Sequence, residues 1–333
     1  MIPAPHANRP ETDRPRLAAI DLGTNSVRLI VAQIDGPDMY RVLDDEREQT
    51  RLGFRLDQTG RLDDANAEAT LDALRRMKAI AADLGAGALR TIATAALREA
   101  ENGPQFVDLA RERIGLEIEV ISPEEEAELA LRSVRQHFGL DRPTAIVDIG
   151  GGSMEVVFTT AGSIDRIHSL PLGAVRLTER FVHSDPVSES DWRALRAGID
   201  RELKDTLRKP VSATSDMIGS GGTFTTVARM AMRDRRGERG PVQGYSMSRA
   251  EFEHQVRRLR EAPLAQRRNI PGLSPNRADI ILAGATTVSL LARRLDVERI
   301  LINDLGVRDG LLLDMISRES GDAGGQAPWA GNV

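Results

Sequence analysis

The stretch Leu17-Ala-Ala-Ile-Asp21-Leu-Gly23-Thr24-Asn25-Ser26-Val-Arg-Leu-Ile-Val-Ala-Gln33 holds two apolar runs separated by a short polar break, Asp-x-Gly-x-x-Ser. An acid at the end of a buried strand can hold a divalent cation. Glycine lets the backbone turn tightly, and the small polar residues after it can aim amide and hydroxyl donors at phosphate. A single copy of this pattern is also what an ordinary hairpin turn looks like. A second copy changes the balance. Ala145-Ile-Val-Asp148-Ile-Gly150-Gly151-Gly152-Ser153-Met-Glu155-Val-Val-Phe158 places Asp, Gly and Ser at the same offsets between the same kinds of apolar run. The chain therefore carries an internal repeat of strand, phosphate-type turn and strand.

Two such hairpins imply two similar lobes facing one another across a cleft, each offering one turn. This resembles the superfamily of acetate kinase, sugar kinases and actin. The resemblance implies an α/β fold of two actin-like (ribonuclease H-like) lobes, with mixed sheets flanked by helices and the active site in the interdomain cleft. The expected organisation is a disordered leader at 1–15, a first lobe at 16–137, a second lobe at 138–318 whose closing helix is free to pack back on the first, and a disordered tail at 319–333.

The 333 residues suffice for two domains that each bury a core. No apolar run reaches the roughly eighteen residues of a membrane span, so a soluble protein is expected. The Pro-rich start lacks the apolar core of a secretion signal, and a cytoplasmic location follows by default. The absence of cysteine excludes disulfides, thiolate metal sites and cysteine nucleophiles. A net charge of −5 gives no whole-molecule attraction for nucleic acid, so a phosphate-rich ligand must meet a local basic patch. Arginine supplies nearly all the cations, with Lys78, Lys204 and Lys209 the only lysines. No Gly-Lys-Ser/Thr triplet exists, which excludes a Walker-type loop. His6, His137, His168, His183 and His254 show no metal spacing, and none precedes an Asp.

Hydrophobic periodicity predicts strands at 40–48, 89–95, 116–121, 163–170, 216–219 and 299–303. It predicts helices at 65–84, 104–114, 248–261, 276–295 and 311–318, and a helical region from 172 through 208. Residues 233–241 read as a charged loop. The helix after Ile121 has a well-marked start, with Ser122 as N-cap, Pro123 at the first position and Glu125 completing a capping box. Those roles account for Glu125 and leave Glu126 unexplained. Gly219-Ser-Gly-Gly222-Thr223 is a Gly-rich turn opening a helix, whose free amides suit an anion.

The ordered set around Asp21, Ala93-Thr-Ala-Ala-Leu-Arg98, Val120-Ile-Ser-Pro-Glu-Glu-Glu126-Ala, Val147-Asp148 to Glu155, Ser169-Leu-Pro-Leu-Gly-Ala-Val-Arg176 and Gly219-Ser-Gly-Gly-Thr is similar to the exopolyphosphatase and guanosine pentaphosphate phosphohydrolase family. That resemblance implies Mg²⁺ near Asp21, Asp148 and Glu155. It implies phosphate on Thr24, Asn25, Ser26, Gly150, Gly151, Gly152, Ser153 and Arg98, and a catalytic base at Glu126. It also implies that Gly222 and Thr223 form the turn that holds adenosine in the related kinases. A homodimer is a further implication. The chain departs from the family in having Pro123-Glu124 where a Gly commonly precedes the Glu pair, and Asp309 where Glu is usual. It stops short of the helical His-Asp-type domain of longer members.

The resulting expectation is Mg²⁺-dependent hydrolysis of the terminal phosphate of inorganic polyphosphate. Removal of the 5′ γ-phosphate of guanosine pentaphosphate is the rival within the same chemistry. An ATP-dependent kinase or ATPase, or a non-catalytic phosphate sensor, are the rivals of another class.

Overall fold

In the computed structural model, residues 14–36, 39–207, 214–236 and 240–319 are described. The expected leader, except for its last two residues, and the tail beyond Glu319 lie outside them. Glu319 itself is the last residue of the closing helix.

The first lobe contains β1 (Arg16–Leu22), β2 (Val27–Gly36), β3 (Met39–Glu48), α1 (Leu56–Thr59), α2 (Asp64–Asp83), β4 (Ala88–Ala93), α3 (Ala95–Glu99), α4 (Gly103–Ile114) and β5 (Glu119–Val120). Its sheet runs β3-β2-β1-β4-β5. The first three strands are antiparallel, and β4 and β5 run parallel to β1. After α5 (Pro123–Arg135) the pattern recurs with β6 (Thr144–Ile149), β7 (Met154–Thr160), β8 (Ser163–Leu170), α6 (Ala174–Phe181), α7 (Glu189–Thr206), β9 (Asp216–Ser220) and α8 (Gly222–Arg236). The chain ends through β10 (Ser246–Ser248), α9 (Arg249–Glu261), α10 (Leu264–Arg267), α11 (Ile281–Arg294), β11 (Arg299–Ile302) and α12 (Val307–Glu319). The second sheet, β10-β11-β9-β6-β7-β8, repeats the order of the first and adds β10 at one edge. Two mixed sheets of this matched order, flanked by helices, make the two actin-like lobes.

The central strands read as unbroken apolar runs because both faces are covered. In β1, Ala18, Ile20 and Leu22 face Leu71, Leu74 and Met77 of α2. The alternate residues Leu17 and Ala19 share a core with Leu311, Leu312 and Met315 of α12. Ala127, Leu131 and Val134 of α5 lie on Ile146, Val157 and Ile218 of the second sheet. So α5, placed with the first lobe when that lobe is drawn to residue 137, packs on the second sheet, while α12 at the chain's end packs on the first. Asn303 ties the return crossing down, its Nδ2 donating to Ser133 Oγ and Ser220 Oγ, both at 3.1 Å.

Several elements differ from the sequence reading. The 172–208 region is two helices, because Pro186 and the Ser184–Asp191 bonds interrupt it. The strand at 116–121 shrinks to Glu119–Val120, which pairs only with the last two residues of β4 at the sheet edge. The strand expected to reach Ala95 stops at Ala93, and α3 begins at Ala95. The charged loop at 233–241 is instead helical as far as Arg236. The helix expected from 276 starts at Ile281, after a single 3₁₀ turn at Pro275–Arg277. Among the described residues no helix is long and apolar enough to cross a membrane.

Candidate active site

Each of the two repeated turns is held from behind. In the first lobe the carbonyls of Thr24 and Asn25 accept from the amides of Gly53 (2.9 Å) and Arg51 (3.1 Å). In the second, the carbonyls of Gly150, Gly151 and Gly152 accept from Ala174 (3.0 Å), Val175 (2.9 Å) and Gly173 (3.2 Å), at the entry to α6. With their carbonyls occupied, the turns present their amides forward. Among the described residues, those of Thr24, Asn25, Gly151 and Gly152 donate to no protein acceptor. Clustered unpaired amides of this kind make an anion site.

The turns meet. A Cβ on Gly152 would lie 2.8 Å from Thr24 Oγ1, and one on Gly151 would lie 3.0 Å from Thr24 Cβ and 3.2 Å from Asn25 N. Glycine suits both positions because Thr24 and Asn25 of the other lobe arrive at contact distance. The cleft between the lobes holds about 770 Å³, open solvent at its mouth included. Asp21, Thr24, Asn25, Ser26, Glu126, Asp148, Gly150, Gly151, Gly152, Ser153 and Gly222 all line it.

Three sequence-derived candidates stand elsewhere. Arg98 touches the cleft through Glu126, with Nη1 donating to Glu126 Oε2 at 3.2 Å and to the Ile121 carbonyl at 2.9 Å. Glu155 is buried behind the wall, paired in register with Asp148 across β6 and β7. Thr223 turns away and packs against Gly284 of α11, because the residue after Gly222 is rotated about 100° around the helix axis.

At the start of α5, Ser122 Oγ accepts from the Glu125 amide at 3.1 Å, and Glu125 Oε2 accepts from the Ser122 amide at 2.8 Å. Glu125 is thereby committed to the backbone. Glu126, one position on, is buried and points into the cleft. Burial pushes its carboxyl well above the usual range; the Glu155 charge adds to this, and Arg98 opposes it. Burial likewise lifts Asp148 to about 6 against the pull of Arg28, and Glu155 to about 7 with help from the Asp148 charge. Hydrogen bonds from Ser153 and Ser169 restrain Glu155. Asp21 is also raised by burial, although Arg28 and Arg308 act against it.

Two buried acids, Glu126 and Glu155, and two half-buried ones, Asp21 and Asp148, are hard oxygen donors whose charge a divalent cation would neutralise. Among the described residues they do not form a ready-made group of three ligands, so Asp21, Asp148 and Glu155 are not a closed cage. Mg²⁺ keeps several waters and is usually held by one or two carboxylates plus substrate phosphate. Asp21 and Asp148 on the cleft wall fit that donor set, with Glu155 behind them.

The cleft also holds cations, Arg28 standing in register with Asp21 across β1 and β2. Arg28 and Arg277 line the cleft. Arg277 lies flat on Gly222, where any Cβ would overlap its guanidinium. Burial lowers the Arg277 guanidinium well below its usual value, and the Arg47 and Arg28 charges add to this. Arg47 donates to Ser26 Oγ at 3.2 Å. Neither Arg28 nor Arg277 was singled out from sequence. Aligning the repeats would have found Arg28, which stands seven residues after Asp21 as Glu155 stands seven after Asp148; Arg277 belongs to no local motif.

The Ppx/GppA phosphatase family model matches residues 30–319. Exopolyphosphatase 2 of Mycobacterium tuberculosis is 31% identical, over 90% of this chain and 98% of that protein. Exopolyphosphatase 1 of the same organism is 28% identical, over 92% of this chain and 89% of its own length. Among solved structures, an exopolyphosphatase from Cytophaga hutchinsonii superimposes with a TM-score of 0.85 at 26% identity, covering 91% of this chain and 98% of the other. The Aquifex aeolicus Ppx/GppA family member gives 0.76 at 30% identity, with 92% and 98% covered. The chain belongs to the Ppx/GppA phosphatase family and is a phosphoanhydride hydrolase.

Proposed function

We propose that the protein is an exopolyphosphatase, which removes the terminal phosphate of inorganic polyphosphate as orthophosphate in a Mg²⁺-dependent reaction. The observation that carries this reading is the contact of the two turns, whose unpaired amides converge beside a buried carboxylate, Glu126. The naming of several relatives as exopolyphosphatases supports it.

In this reading the terminal phosphoryl group sits between the turns of Thr24–Ser26 and Gly150–Ser153. Arg98 steadies Glu126. A water attacks the terminal phosphorus in line with the bridging oxygen, the bridging P–O bond breaks, and the shortened chain leaves. Glu126 accepts the proton released by the water, and burial raises its affinity for that proton. Mg²⁺ on Asp21 and Asp148 would neutralise charge on the phosphate oxygens. No covalent intermediate is needed.

An ATP-dependent reading finds less support. The Gly222 turn, which the kinase resemblance assigns to adenosine, is occupied by the Arg277 guanidinium. A cation there suits further phosphates.

Orthophosphate release is to be measured on polyphosphates of several lengths, guanosine pentaphosphate and ATP, with and without Mg²⁺. The expected result is turnover of polyphosphate in excess of both nucleotides, abolished by chelation. Preferential turnover of guanosine pentaphosphate would replace this reading with that of a nucleotide phosphohydrolase.

A further inference from the structure

We infer that a linear polyphosphate leaves the cleft along one stripe of α8, where Arg229 and Arg233 receive phosphates beyond those held between the lobes. The inference rests on the exopolyphosphatase reading and gives that site its polymer specificity.

The stripe follows from helix geometry. Gly222 forms part of the cleft wall and begins α8. At 3.6 residues per turn, Arg229 and Arg233 fall within about 20° of Gly222 around the axis, roughly 10 Å and 16 Å further along it. The helix thus carries one face from the phosphate site out to solvent, with an arginine at each of two successive turns.

The pattern of ion pairs on α8 marks this face off. Asp234 accepts from Arg258 at 2.8 Å and from Gln255 at 2.8 Å, and Arg235 pairs with Glu251; all three partners are on α9. The acid of α8 is therefore turned toward α9. Arg233 has no acidic partner among the described residues. Arg229 meets, among the described residues, only the acid Asp304, at 3.4 Å, and both side chains are nearly half exposed. An exposed pair of that kind contributes little and exchanges readily for a stronger anion.

The cleft and the stripe are joined by Arg47, which sits on Ser26 at the cleft. Burial, with the nearby Arg28 and Arg229 charges, brings its guanidinium down to about 10. Arg28, Arg47 and Arg229 lie near enough to repel one another, a local field that attracts a polyanion despite the net charge of −5. A nucleotide ends its phosphates inside the cleft and gains nothing from Arg233. A polymer continues past it.

The test compares Arg229→Gln, Arg233→Gln and the double variant on long-chain polyphosphate and on tripolyphosphate, with melting temperatures as a control on folding. The double variant is expected to raise KM for the long chain by about five- to tenfold, with kcat unchanged. Tripolyphosphate kinetics should stay within about twofold. The salt dependence of KM for the long chain should flatten, and Arg233→Glu should exceed Arg233→Gln. Equal effects on both substrates, or an unchanged long-chain KM in a wild-type background that hydrolyses polyphosphate, would overturn the track alone. Wild-type protein that releases phosphate from guanosine pentaphosphate but from neither polyphosphate would overturn the underlying reading and the track with it.

Discussion

Arg28 and Glu155 occupy the same position in two copies of one hairpin, and they carry opposite charge. Arg28 stands in register with Asp21 across β1 and β2, and Glu155 with Asp148 across β6 and β7. Directly opposed residues point to the same face of a sheet. The first lobe thus offers an acid beside a cation and the second an acid beside an acid. The two hairpins thus differ in charge where they meet, with Arg28 next to Asp21 in one and Glu155 next to Asp148 in the other.

Arg28→Gln should accordingly weaken substrate binding. Loss of a charge-assisted contact of this kind corresponds to roughly ten- to a hundredfold in KM. Steady-state kinetics on polyphosphate should find that rise. A variant with normal KM would remove Arg28 from the phosphate site.

The second lobe's acids make a pH prediction. Glu155 rises from 4.5 to about 7 and Asp148 from 3.8 to about 6, both chiefly through burial. A folded-state value above the unfolded one means that the native protein holds its proton longer. The resulting stabilisation is full below about pH 4 and is lost as pH rises through 6 to 7, by up to about 3 kcal/mol for Glu155. Metal-free protein should melt at a lower temperature at pH 7.5 than at pH 5. Added Mg²⁺ should raise the melting temperature more at pH 7.5, and Glu155→Gln should flatten the metal-free dependence. A melting temperature that climbs steadily from pH 5 to 7.5 without metal would contradict the account.

The contact between the turns can be tested by filling it. Gly152→Ala places a methyl 2.8 Å from Thr24 Oγ1 and 3.1 Å from Ala95 Cβ, so the packing of the two turns must shift by a few tenths of an ångström. Turnover should fall by about a hundredfold, because positioning errors of this size are costly. Adding Thr24→Ala, which keeps the amide and removes the clashing hydroxyl, should recover part of the loss. An inactive double variant as unstable as the single one would point to local unfolding of the turn in place of blocked closure.

Much of this site was legible because the chemistry is local. Asp21 and Asp148 end strands whose both faces are covered, so the apolar runs before them are unbroken and the repeat stands out. Ser122, Pro123 and Glu125 are read from spacing alone, since a capping box is contained in four residues, and both of its hydrogen bonds are present. What escaped depends on distant parts of the chain. Arg277 reaches the cleft only because the 3₁₀ turn at Pro275–Arg277 packs beside Gly222. Thr223 was assigned to the cleft by the family resemblance, although the helical twist carries it to α11. The break between α6 and α7 turns on Asp191, whose carboxylate accepts from the amides of His183 and Ser184.

The central claim is that Glu126 is the base and Glu125 the cap. It is tested most directly by turnover at saturating polyphosphate in Glu126→Gln beside Glu125→Gln. Glutamine at 125 still accepts from the Ser122 amide, so its rate should stay near wild type. Glutamine at 126 keeps size and hydrogen bonding but cannot take the water's proton, and its rate should fall by roughly 10²–10⁴-fold with substrate affinity retained. Near-normal turnover in Glu126→Gln, or a loss confined to Glu125→Gln, would contradict the account.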